Sequence, residues 1–164
     1  MKMRGKWIKS CKERGESAEL CFMARAAEHG LRVSKPYGDS ASYDVGVEQA
    51  GRILKVQVKS TIYRRRGSES YSLKVHGPRR QLYRKGTIDF FAVYLIPADT
   101  WYIIPFRKLG RNFSLHITVG SKRQKYEKYR EAWGLLREKA EEKRCPYEEG
   151  ERPCEGRESG VGSQ

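Results

Sequence analysis

Hydrophobic and polar positions change period several times along the chain. From Gly15 to His29 apolar residues recur at three- and four-residue steps, and Gly30 follows as a C-terminal cap, so this stretch predicts a helix. At 100° per residue its apolar stripe is Leu20, Phe22, Met23, Ala26 and Ala27, with Glu19 inside it. Pro36, Gly38 and Asp39 then mark a loop. From Ser42 to Thr61, "SYDVGVEQAGRILKVQVKST", the period becomes two, and Ala50-Gly51 suits a tight turn between two strands. Tyr71, Leu73 and Val75 alternate as a further strand. "PRRQLYRKG" suits a short helix with Pro78 in its first turn. "IDFFAVYLI" is a nearly continuous apolar run, the pattern of a buried central strand. "TWYIIPF" is its antiparallel neighbour across Pro97, Ala98 and Asp99, with Trp101 and Tyr102 packing in the sheet, and "FSLHITV" is one more short strand. Between Ser121 and Lys143, Tyr126, Tyr129, Trp133, Leu136 and Ala140 fall on one face, which predicts a last helix.

Helix, hairpin, further strands and a closing helix together predict an α/β fold, a mixed β-sheet flanked by helices. Residues 1–144 form the folded body. Residues 145–164 hold five Glu, two Arg and almost nothing to bury, and are expected to be an acidic disordered tail.

The chain of 164 residues carries 34 Lys and Arg against 20 Asp and Glu, a formal net charge of +14. Without the tail the balance is 32 against 15, or +17, so the tail masks part of the body's charge. Such an excess favours a polyanion, with nucleic acid ahead of an anionic membrane surface because no long basic amphipathic helix is evident. No apolar run is long enough to span a bilayer and no signal-peptide pattern is present, so a cytoplasmic protein is expected. Cys11, Cys21, Cys145 and Cys154 match no close zinc spacing, and Cys21 suits a core position. Cys145 and Cys154 flank a Glu-, Gly- and Pro-rich stretch and are candidates for a disulfide or a metal site. His29, His76 and His116 have no spacing that supports a histidine mechanism.

The hairpin register carries the candidate chemistry. A turn at Ala50-Gly51 sets Gln49 against Arg52, Val47 against Leu54, Val45 against Val56 and Asp44 against Gln57. Val45, Val47, Leu54, Val56 and Val58 then share an apolar face, while Asp44, Gln57 and Lys59 share the other and can converge on one ion or one phosphate. The alternative is a polar face turned to water. Glu19 in an apolar stripe requires either an ion pair with a Lys or Arg, or a cation. Two carboxylates, Glu19 and Asp44, fit Mg²⁺ (or Mn²⁺) completed by waters and phosphate oxygens. Gln57 could add a neutral oxygen or hold a water, and the Val58 backbone carbonyl another oxygen. Lys59 could stabilise charge on a phosphate or position a water. Glu16, near the helix start, is a supporting candidate.

Asp44, twelve residues, then Gln57-Val58-Lys59, preceded by Gly15-Glu16-Ser17-Ala18-Glu19, resembles the PD-(D/E)XK nuclease superfamily. The variant it resembles most has Gln in the middle position, as in the PD-(D/Q)XK group I intron homing endonuclease-like family. The likeness extends through "GLRVSKPYGDSASYDVGV", "KVQVKST", "IDFFAVYLIPADTWYIIPF" and "YREAWGLL". It implies a restriction-endonuclease-like α/β core over residues 1–144, metal held by Glu19 and Asp44, and catalysis by Glu19, Asp44, Gln57 and Lys59. It departs from the majority at Gln57, where most members carry Asp or Glu, and Pro36 is well removed from Asp44. The expected activity is metal-dependent hydrolysis of DNA phosphodiesters, of homing or restriction type. A Holliday-junction-resolvase-like enzyme, a nuclease fold used only for binding, and a basic structural nucleic-acid protein are the rivals. Arg64, Arg65, Arg66, Arg79, Arg80, Arg84 and Lys85 are candidates to hold the DNA backbone, with a third basic stretch around Trp7. Cutting both strands from one site per chain implies a homodimer or tetramer.

Overall fold

The computed structural model describes residues 8, 10–38, 40–77, 83–109 and 114–137. The acidic tail, Cys145 and Cys154, Trp7, Arg79 and Arg80 lie outside these. Helix α1 spans Cys11–Glu28, beginning earlier than its apolar periodicity because Ser10 caps it, its hydroxyl accepting from the Glu13 N–H at 3.4 Å. Gly30, at φ +71°, ends it: its N–H donates to Ala27 O and that of Leu31 to Ala26 O.

Seven strands follow: β1 (Val33–Ser34), β2 (Val45–Gln49), β3 (Arg52–Thr61), β4 (Ser70–Lys74), β5 (Phe90–Leu95), β6 (Thr100–Pro105) and β7 (Ser114–Thr118). Five form one sheet in the order β1-β2-β3-β5-β6, parallel only between β3 and β5. β4 and β7 form a separate antiparallel ribbon. The side chains of β5 and β6 alternate between two cores. Ala92, Tyr94, Trp101 and Ile103 join Ala18, Cys21, Phe22 and Ala26 of α1 and the valines of the hairpin. Phe91, Val93, Leu95, Tyr102 and Ile104 join Tyr71, Leu73, Leu115 and Ile117 of the ribbon. β5 is therefore covered on both faces, which explains its unbroken apolar run.

The α1 stripe differs from the expected one. Leu20 is 60% exposed and Ala27 is exposed, while Ala18 and Cys21 are fully buried. Glu19 stands at the rim of the buried face rather than inside it.

The closing helix is corrected by the structure. Among the described residues this region has two short 3-10 turns, Glu127–Tyr129 and Trp133–Leu136. Glu131 separates them at φ +48°. Its backbone N–H donates to Trp101 O, and its carboxylate accepts from Trp101 N–H at 2.7 Å and from the Trp133 indole N–H at 2.8 Å. β6 is a sheet edge, and Glu131 satisfies backbone groups there that a continuous helix would leave unpaired. Tyr126, Tyr129, Trp133 and Leu136 are nonetheless buried as expected, while Ala140 lies outside the described residues. The expected helix at "PRRQLYRKG" lies largely outside the described residues, and Tyr83 and Arg84 within it are not helical.

Candidate active site

The β2–β3 hairpin has the register read from the sequence, with Gln49 against Arg52, Val47 against Leu54 and Val45 against Val56. Ala50 and Gly51 both have positive φ, 45° and 75°, as a two-residue primed turn requires. β1 can lie close along β2 because Gly46 has no side chain: a Cβ there would stand 2.8 Å from both Ser34 Oγ and Ile53 Cγ2.

β2 begins only at Val45, whose partner is Val56, while β3 continues beyond that pair to Thr61. The Val58 N–H therefore has no β2 carbonyl to meet, and the Asp44 carboxylate takes that place, Oδ2 accepting at 2.7 Å. The same oxygen accepts from the Gln57 amide Nε2. Only the NH₂ of an amide can donate to a carboxylate, so the Gln57 oxygen is left as its acceptor. A carboxylate at position 57 would oppose Asp44 with like charge; the glutamine replaces that repulsion with a hydrogen bond. Gln57 is 6% exposed, and β3–β5 register places Gln57 beside Phe91 and Lys59 beside Val93, on the face covered by the ribbon.

Burial pushes the Asp44 carboxyl up from the usual 3.8 to about 6; the Val58 N–H opposes this, the Glu19 charge adds to it, and Lys59 and Lys35 oppose it. Glu19 and Lys59 therefore both act on Asp44. Glu19 is ion-paired with Lys35, Nζ to Oε2 at 2.9 Å, so the ion-pair alternative for Glu19 holds. Glu16 is exposed and lies 4.0 Å from Lys12. No local pattern in the sequence points to Lys35, because its partner lies 16 residues away on α1 and the two meet where α1 packs beside β1. Tyr83 was missed as well. Burial and the Asp44 charge push its phenol up to about 12, and its ring meets Phe91 edge-on at 5.4 Å between centroids.

The two carboxylates, with Gln57 as a neutral oxygen donor, fit a hard divalent cation that keeps most of its waters. Among the described residues no group of three His, Cys, Asp or Glu side chains forms a closed metal site. Of the basic candidates, Arg65, Arg66, Arg84 and Lys85 are exposed, and Arg64 is tied to Glu69 at 2.8 Å. Among the described residues no helix is long and apolar enough to cross a membrane. Among the described residues Cys11 and Cys21 form no disulfide, and Cys21 is fully buried.

The raised Asp44 pKa has a definite sign. Between pH 3.8 and about 6 the folded protein holds a proton that the unfolded chain has released, so stability falls as pH rises through this window. In EDTA, Asp44→Asn is expected to gain on the wild type by about 1–2 kcal/mol between pH 4 and pH 8, a value discounted for partial exposure. Urea unfolding at both pH values measures this, and a difference independent of pH would contradict it.

Residues 9–136 match the PD-(D/E)XK endonuclease family. Among solved structures, the bacterial homing endonuclease I-Ssp6803I is 30% identical at a TM-score of 0.66, over 79% of this chain and 92% of that chain. Hjc of Archaeoglobus fulgidus, a Holliday junction resolvase, is 16% identical at a TM-score of 0.44, over 69% of this chain and 87% of that chain. A search of curated proteins gave no match. With the matched span taking in α1, the whole five-stranded sheet and the Asp44, Gln57 and Lys59 hairpin, this chain belongs to the PD-(D/E)XK endonuclease family.

Proposed function

We propose that this endonuclease hydrolyses DNA phosphodiesters with a divalent cation, Mg²⁺ or Mn²⁺, held by Glu19 and Asp44, and that Gln57 and Lys59 complete the site. The observation that carries this reading is the fixing of Asp44 by the Gln57 amide and the Val58 N–H, with Glu19 and Lys59 both acting on its charge. Asp44 accepts both hydrogen bonds at Oδ2, which leaves Oδ1 for the cation. Glu19 likewise meets Lys35 through Oε2 and keeps Oε1. The Val58 backbone carbonyl is a further oxygen on the same strand, and Glu16 lends negative charge one turn away on α1. A bound divalent ion supplies charge neutralisation at the phosphate and a water of lowered pKa. Lys59 stabilises the negative charge that develops on the phosphate oxygens, and Gln57 orients a water through its amide oxygen.

The likeness to a bacterial homing endonuclease, together with a net charge of +14, supports duplex DNA as the substrate. Arg65, Arg66, Arg84 and Lys85 then contact the backbone beside the site, with Arg64 once released from Glu69, and Arg79 and Arg80 from the sequence. One site per chain cuts both strands when two copies act together, so a homodimer or tetramer is proposed.

The test uses a library of supercoiled plasmids with randomised inserts. Incubation with Mg²⁺ or Mn²⁺ is expected to give nicked and linear products that EDTA abolishes. Equal cutting in EDTA, or intact plasmid with either metal, would overturn the proposal.

A further inference from the structure

We propose that Lys35 is a built-in counter-ion of the cation site: its ammonium holds Glu19 in the metal-free protein and gives way when a divalent cation takes that carboxylate. This rests on the reading of Glu19 and Asp44 as the cation's ligands. The geometry begins with β1, where Ser34 pairs with Gly46 and Val33 with Val47. One further step of that register brings Lys35 abreast of Val45, the neighbour of Asp44. Pro36 follows, and its ring holds the Lys35 backbone extended. Backbone pairing before Lys35 and proline after it thus deliver the ammonium to Glu19, at 2.9 Å. Glu19 is the better shielded partner, with its side chain 20% exposed against 47% for Lys35.

The charges converge on the same place. The Lys35 ammonium meets the Glu19 carboxylate at 2.9 Å, and the charges of Asp44 and Glu16 also act on it. The ammonium therefore feels every carboxylate assigned to the cation site. An acid at position 57 would have added a third negative charge; Gln57 withholds it, and Lys35 offsets one of the two that remain until metal arrives. Lys59 is set apart from this role, since it lies on β3 beside Val93 and its charge acts on Asp44. Displacement of Lys35 also frees an ammonium at the mouth of the site, where a DNA phosphate is the available anion.

Mn²⁺ binding to the full chain without DNA, measured by calorimetry, tests the inference. Lys35→Ala is expected to bind Mn²⁺ about two- to fivefold more tightly than the wild type, the range for a partly exposed ion pair. Lys35→Glu is expected to bind more tightly still, and Lys35→Arg like the wild type. Lys12→Ala, which removes an equal charge beside Glu16 only, is expected to change affinity less than Lys35→Ala. Equal affinities across the Lys35 series, or an equal gain from Lys12→Ala, would overturn the role of Lys35 while leaving the cation site intact. Mn²⁺ binding that survives combined Glu19→Gln and Asp44→Asn would overturn the proposed ligands, and Lys35's role with them.

Discussion

Asp44→Ala and Lys59→Ala are each expected to lower metal-dependent DNA cleavage by about 10²–10³-fold or more, the scale for removing one charge-stabilising group from a reacting centre. The two losses have different origins. Asp44→Ala removes a proposed ligand and leaves the Val58 N–H and the Gln57 amide without their shared acceptor. Lys59→Ala leaves the proposed ligands in place and removes positive charge near Asp44. Cation binding should therefore weaken in the first variant and persist in the second. Single-turnover cleavage, with DNA binding followed separately in Ca²⁺, distinguishes these effects from loss of the DNA surface. Binding should stay within about threefold, because backbone contacts are spread over many basic groups. Cleavage within tenfold of the wild type in either variant would remove that residue from the site.

Trp101→Ala is expected to destabilise the protein by about 3–5 kcal/mol, the usual cost of emptying a buried aromatic position. Trp101 is 1% exposed. Its ring stacks on the cross-strand Tyr94 at 4.4 Å and 9°, meets Phe22 of α1 at 5.6 Å, and approaches Trp133 at 5.9 Å. It thus joins α1, the sheet and the last 3-10 turn in one cluster. Trp101→Phe should cost much less than its lost volume suggests. The buried indole N–H has no hydrogen-bond partner among the described residues, so its removal offsets part of the cavity. Urea unfolding followed by far-UV circular dichroism measures both variants. A loss below about 1 kcal/mol in Trp101→Ala would mean that the cluster contributes little.

The hairpin was legible because its signals are local and agree with one another. Two-residue periodicity fixes which side chains share a face, and Ala50-Gly51 fixes the register. Asp44 and Gln57 follow from these alone. Glu19 enters the candidate set through a stripe that the structure redraws. The assumed stripe included Leu20 and Ala27, which face solvent, and Glu19 stands beside the true stripe of Ala18, Cys21, Phe22 and Ala26. Its partner Lys35 depends on β1 docking against Gly46, a contact between segments that no local pattern encodes. The closing helix was misread because steps of three and four residues report a buried face, not a hydrogen-bonding pattern. Tyr126, Tyr129, Trp133 and Leu136 reach the core through 3-10 turns with the same spacing, and the tie between Glu131 and the edge of β6 decided between the two.

The strand order also divides the chain by folding cost. Asp44 and Gln57 meet across a tight turn, 13 residues apart, so closing that contact restricts little chain. β3 meets its parallel neighbour β5 only after residues 62–89 have been looped out, and that loop includes β4, whose partner β7 comes later still. Contacts of such long sequence separation slow folding far more than they limit stability. The carboxylate and amide of the candidate site thus belong to a locally closed hairpin, and the ribbon that covers them belongs to contacts made across 34 residues or more.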